Sequence, residues 1–258
     1  MTDTPTTEEI PAATLVVFRQ PSDGAPEILM VVRSKAMSFA GGAAVFPGGR
    51  VDPADYTLAS ALEHSCSDDD EAAHRIAAIR ETLEETGLAL GIREPVDEKI
   101  ARNARAFVLE AGAMAPVLER FGWTLDLDRL IPFARWLPRG MSHSRIFDTR
   151  FYLYDLGTGA VDIAVDQTEN TKLFWVTAGD ALRMADEGEI SIIFPTRRNL
   201  ERLAQFDSFT DAKAHAEATP VKTITPKMGS IDGADALIIP EDAGYPVVFE
   251  PLDKAMRG

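Results

Sequence analysis

The sequence predicts an α/β protein of the α+β type, with strands and helices around one core. Three observations carry that expectation. Apolar runs of strand length recur along the chain, among them ATLVVF, EILMVVR, IPFARWL and KLFWV. Stretches with apolar residues at helical spacing lie between them. Finally, 45% of the 258 residues are apolar, enough for one sizeable core, with no internal repeat, no low-complexity segment and no persuasive domain boundary.

Taken in order, residues 1–10 read as a disordered tail. Strands follow at Ala13 to Phe18 and Glu27 to Arg33, around the turn-rich QPSDGAP. Two glycine pairs flank a short apolar segment in SFAGGAAVFPGGRVDPAD, and an acidic, poorly periodic loop over about 50–70 leads into SDDDEAAH. A helix is expected from near Asp70 or Glu71 to Gly87, acidic at its start and closed by glycine. Val96 to Phe121 is again helical in pattern. Strands are expected at Ile131 to Leu137, Phe147 to Leu156 and Lys172 to Val176, then helices at about 178–187 and 196–206. From Pro220 the last 39 residues carry five prolines and no long periodic segment. They read as an extended tail wrapped on the domain, since VVFEPL and ALIIP are too apolar for water.

Charge and composition narrow the function classes. Against 26 basic residues stand 41 acidic ones, a net charge of -15 that repels polyanions, so no nucleic-acid polymer is expected as a partner. The single cysteine, Cys66, permits no intramolecular disulfide and reads as a bystander thiol. The N-terminus has no signal-peptide pattern, and no apolar run approaches the roughly 18 to 20 residues of a membrane helix, so a cytoplasmic protein without a membrane partner is expected. The histidines His64, His74, His143 and His215 show no ligand spacing and read as surface residues.

The stretch RETLEETG, Arg80 to Gly87, breaks a local rule. At about 100° per residue Glu81, Glu84 and Glu85 share one helix face, opposite Ile76, Ile79 and Leu83. Carboxylates three and four residues apart repel, and in a final turn they also meet the negative end of the helix dipole. Only Arg80, four residues before Glu84, relieves this locally. A solvated acidic face is one reading. The other is that a hard divalent cation, bound by carboxylate oxygens, supplies the missing compensation.

RETLEETGL resembles the second half of the Nudix box, G-x5-E-x7-R-E-U-x-E-E-x-G-U, where U is aliphatic. Arg80, Glu81, Glu84, Glu85, Gly87 and Leu88 meet its letters, with Thr82 at the first U; Phe46-Pro47-Gly48-Gly49 resembles the F-P-G-G that leads into it. Thirty residues separate Gly49 from Arg80 where the pattern leaves thirteen, an excess of 17. Counting eight back from Arg80 reaches Ala72, so the first box glutamate is not carried over, and Glu71 is left as an N-terminal helix acid.

The resemblance implies a Nudix fold, a mixed β-sheet sandwiched between α-helices. It would span residues 11–219, enlarged by the 50–70 loop, a helical insertion at about 96–130 and a C-terminal extension over 220–258. It implies a metal-dependent hydrolase of diphosphates linked to a nucleoside or similar group. Glu81, Glu84 and Glu85 would ligate Mg²⁺ or Mn²⁺ or position the attacking water, the Gly49 carbonyl would complete the shell, and Arg80 would orient the glutamates. Glu169 lies where many members supply a further glutamate; an ordinary loop acid beside Asp166 is the alternative. Arg33, Arg145 and Arg150, with Gly48, are candidates for gripping phosphates, against the alternative of surface or strand-edge ion pairs for the arginines.

Within the family, RIAAIRETLEETG and the segments WLPRGMSHSRIFDTRFYLYDL, TENTKLFWVTAGDAL, IIFPTRRNLERLAQF and PEDAGYP are similar to the enzymes that cleave coenzyme A and its acyl esters. Arg33-Ser34 and Gly42 match part of the coenzyme A motif, and Met37-Ser38-Phe39 replaces its basic cluster. The expected reaction releases 3',5'-ADP and an (acyl)phosphopantetheine. ADP-ribose, a nucleotide sugar or a dinucleotide polyphosphate are the alternative substrates, and a non-catalytic Nudix-fold binding module is the alternative class. Members of the family often form homodimers.

Overall fold

The computed structural model describes residues 8–34, 40–140, 145–158 and 170–252. The elements run β1 (Glu9–Gln20), β2 (Glu27–Arg33), β3 (Ala44–Val45), β4 (Gly48–Arg50), α1 (Pro53–Ala61), α2 (Asp69–Thr86), α3 (Glu98–Ala111), α4 (Met114–Phe121), β5 (Ile131–Trp136), β6 (Ile146–Thr158), β7 (Asn170–Thr177), α5 (Ala178–Asp186), α6 (Phe194–Leu203), α7 (Phe209–Ala218), β8 (Thr223–Ile224), β9 (Lys227–Ile231), β10 (Ala234–Ile238) and β11 (Phe249–Pro251).

A mixed eight-stranded sheet organises the chain, ordered β3-β2-β1-β6-β5-β8, with β4 paired to β1 and β7 to β2. Strands β1 and β6 run parallel, while β1 and β2 run antiparallel. The central strand is apolar on both faces because helices cover both. Ala13, Leu15 and Val17 join Ile76, Ile79 and Leu83 of α2 in one core; Val16 and Phe18 join Leu200 and Leu203 of α6 in the other. Residues two apart on a strand share a face, so this alternation divides β1 between the two helical layers. The expected mixed sheet between helices is what the chain forms.

Several local expectations change. Glu9 and Ile10, placed in the tail, belong to β1. The acidic loop holds a helix, α1, because Pro53 opens it and the Asp55 carboxylate accepts the Asp52 N–H at 2.9 Å. Residues 209–218, given no element, form α7, capped by Ser208, whose hydroxyl accepts the Asp211 N–H at 3.1 Å. The C-terminal stretch is no featureless tail. Strands β9, β10 and β11 make an antiparallel sheet, and Tyr245 links it to the domain by accepting from Trp136 Nε1 at 2.9 Å and donating to Asn199 at 2.6 Å. His74, expected at the surface, is only 2% exposed. Among the described residues no helix is long and apolar enough to cross a membrane.

Candidate active site

Helix α2 places the acids. Asp68 caps its start, accepting from the Glu71 N–H at 2.7 Å, and Asp69, Asp70 and Glu71 fill the first turn, where the dipole favours negative charge. Ile76, Ile79 and Leu83 are fully buried against the sheet. Gly87 ends the helix in the left-handed region at φ 78, and its N–H reaches the Leu83 carbonyl at 3.0 Å. With the apolar stripe turned to the core, Glu81 and Glu84 are held at the edge facing α1 and β4, and Glu85 is only 6% exposed. A merely solvated acidic face does not describe that turn.

One guanidinium organises it. Arg80, almost wholly buried, forks onto the Asp55 carboxylate at 3.1 and 2.9 Å and donates to the Arg50 carbonyl at 2.9 Å. Its Nη1 donates to Glu81 at 2.9 Å and Glu84 at 3.3 Å. Burial pulls the Arg80 pKa down, but Asp55, Glu81 and Glu84 outweigh it and hold the guanidinium above its ordinary value. Burial, with Glu84 and Glu85 adding repulsion against the pull of Arg80, pushes Glu81 up to about 8. Burial also raises Glu84, against the pull of Arg80.

The glycine pair brings backbone to these acids. The Gly48 N–H donates to Glu85 at 3.0 Å. A methyl group on Gly48, at φ 155, would sit 2.3 Å from the Ala13 carbonyl oxygen, so β4 can lie this close to β1 only with glycine there. A Cβ on Gly49 would stand 2.4 Å from the Glu81 carboxyl carbon. The Glu81 carboxyl therefore occupies the space a side chain would take, directly over the backbone.

The donor set is oxygen only: three carboxyl groups beside a glycine backbone, with Glu81 disfavoured as an isolated anion. That is the chemistry a hard cation such as Mg²⁺ or Mn²⁺ relieves, so the residues fit one. Among the described residues no three acidic, histidine or cysteine side chains already converge as a closed ligand group. Arg80 lies between Glu81 and Glu84.

The remaining candidates disperse. Arg150 pairs with Asp70 and with Glu71 at 2.8 Å, at the start of α2. By helix rise about 15 Å separates Glu71 from Glu81, so this arginine serves the helix start and not the acidic turn. Arg33 ends β2, its N–H donating to the Ala43 carbonyl at 3.0 Å, and Arg145 is exposed just before β6. Glu169 lies outside the described residues. Cys66 is a partly covered free thiol that burial pushes up, which suits a bystander.

Asp55 is the residue sequence reasoning missed. It is 1% exposed and holds Arg80 with both oxygens. The signal was there: counting forward from Gly49 through five residues reaches Asp55, the place where G-x5-E has its glutamate. The 17 extra residues fall after Asp55, which is why counting back from Arg80 reached Ala72.

Known proteins share this fold. A model of the NUDIX domain matches residues 9–109. The chain is similar to a NUDIX hydrolase of Alicyclobacillus acidocaldarius with a solved crystal structure, at 30% identity and a TM-score of 0.70, covering 81% of this chain and 96% of that one. It is also similar to acyl-coenzyme A diphosphatase NUDT19 of Gallus gallus, 26% identical over 248 residues, covering 75% of this chain and 66% of that protein, just under two thirds of its length.

Proposed function

The chain belongs to the Nudix hydrolase family, and on that premise we propose that it hydrolyses the diphosphate of coenzyme A or an acyl-coenzyme A, giving 3',5'-ADP and the (acyl)phosphopantetheine. The observation that carries the reading is the half-buried acidic turn of Glu81, Glu84 and Glu85, organised by Arg80 and set against Gly48 and Gly49. The choice of substrate is supported by the similarity to the Gallus gallus acyl-coenzyme A diphosphatase.

Divalent metal ions serve Nudix hydrolases generally. Here Glu81, Glu84 and Glu85 would hold Mg²⁺ or Mn²⁺, with the Gly49 carbonyl beside them. Such an ion supplies neutralisation of the diphosphate oxygens and a lowered pKa for water.

The chain's own groups set the stage for that chemistry. Arg80, anchored on the buried Asp55, fixes the carboxylates of Glu81 and Glu84, so that they need little reorganisation during reaction. The Gly48 N–H orients Glu85. A helix floor buried through Ile76, Ile79 and Leu83 holds these oxygens more rigidly than a loop would.

The test is product release from coenzyme A, an acyl-coenzyme A, ADP-ribose, a nucleotide sugar and a dinucleotide polyphosphate, each with Mg²⁺ and with Mn²⁺. Release of 3',5'-ADP from the first two is expected to give the highest kcat/KM. No cleavage of either at any metal concentration would sink the coenzyme A reading. A rate confined to ADP-ribose or another of the panel would move the substrate while leaving the family chemistry in place.

A further inference from the structure

The end of α2 carries its acids without any basic residue in the last turn. The dipole already places partial negative charge on the final carbonyls there. The Gly87 N–H closes on the Leu83 carbonyl, and the Leu88 N–H turns to Thr86 Oγ1 at 3.1 Å. The carbonyls of Glu84 and Glu85 are thus passed over by the chain that follows the helix. A cation from another element reaches them. Arg105 of α3 donates from Nε to the Glu84 carbonyl at 2.9 Å and from Nη2 to the Glu85 carbonyl at 3.1 Å. Its helix is seated by Ala104 and Val108, both fully buried in the core that α2 shares.

We propose that Arg105 is a positioning residue for the acidic turn, so that α3 reaches the site through one guanidinium. Capping two carbonyls at adjacent positions holds the backbone of Glu84 and Glu85 at a helix end that its own charges would otherwise loosen. Arginine suits the task because its planar fork presents donors at a fixed spacing to two acceptors, which a flexible ammonium holds less firmly. The inference rests on Glu81, Glu84 and Glu85 being the cation-binding acids of the site.

The sign of one measurement separates positioning from simple charge. Arg105→Gln removes a positive charge, so through-space electrostatics alone tightens Mn²⁺ binding, whereas a disordered acidic turn weakens it. In a titration with Mn²⁺ alone, Arg105→Gln is expected to lose affinity by roughly fivefold to tenfold, within the range of a charged helix-end contact. In metal-free protein the amides of Glu84 to Gly87 are expected to exchange with deuterium about tenfold faster, with the rest of α2 unchanged. Arg105→Lys recovers part of both, and Arg102→Gln, on the exposed side of the same helix, alters neither. Unchanged or tighter Mn²⁺ binding in Arg105→Gln, or unchanged exchange in the last turn, overturns the proposal while the wild type still binds Mn²⁺. A wild type that binds no Mn²⁺ overturns the reading of the acids as well.

Discussion

The two ends of α2 are both acidic, and they differ in how the charge is met. At the start, Asp68 caps the helix, Glu71 lies between Arg75 at 2.9 Å and Arg150 at 2.8 Å, and Asp70 shares Arg150. Acids stand there with the dipole and have cations of their own. At the far end Arg80 is divided among Asp52, Asp55, Glu81 and Glu84, Glu85 takes a backbone N–H from Gly48, and Arg105 reaches the Glu84 and Glu85 carbonyls. Acids stand there against the dipole, and one buried guanidinium is shared among several of them. The start, where the dipole favours the acids, is in that sense the balanced end. The far end, where the dipole opposes them, is the surplus end, and a cation would relieve it.

The largest effect should come from removing the cation at the surplus end. Arg80→Gln leaves Asp55 buried without its partner, and breaking one side of such a pair costs about 3 to 5 kcal/mol, read as a lower urea midpoint. Arg75→Gln, at the balanced end, leaves Arg150 on Glu71 and should cost less than half of that. Equal losses would erase the distinction between the two ends.

Activity should divide the helix more sharply than stability does. Glu85→Gln keeps a hydrogen-bond acceptor for Gly48, so the protein folds, while kcat/KM falls roughly a hundredfold to a thousandfold, the scale of losing one preorganised electrostatic group. Glu71→Gln should stay within about threefold of wild type, because its carboxylate pairs with Arg75 and Arg150 at the helix start, away from the acidic turn. A Glu85→Gln enzyme with wild-type kcat/KM would remove this glutamate from the site.

The smallest effect is expected at the balanced end and depends on pH. His74 is buried, with Nδ1 2.7 Å from the Asp70 carbonyl, and burial holds its pKa below the ordinary 6.5. The folded state therefore favours neutral imidazole. Its contribution is fully present above pH 6.5 and is lost as pH falls through the depressed folded value. Between those limits wild-type stability should fall more steeply than that of His74→Gln, by at most about 1.4 kcal/mol per pH unit. Parallel urea midpoints from pH 7.5 to pH 5 would refute this.

Much of the molecule was legible from local pattern. Apolar runs located β2, β5 and β7, and the span of α2 was legible to within two residues at its start and one at its end, because an apolar stripe, an acidic first turn and a closing glycine are all short-range signals. Shorter signals were passed over. Asp52-Pro53 opens α1, Ser208 with Asp211 opens α7, and Asp232-Gly233 turns β9 into β10.

The order of residues in RETLEETG beside FPGG was enough to single out the acids as candidates, and helical spacing put them on one face. Their environment came from contacts distant in sequence. Asp55 meets Arg80 across 25 positions, Gly48 meets Glu85 across 37, and Arg105 reaches back 21 to the Glu84 carbonyl. Arg150, a phosphate candidate by type, is committed to Glu71 across 79. Helical periodicity carries no information at those separations. Burial and charge pairing do, and both exist only once the sheet has brought α1, α2 and α3 together.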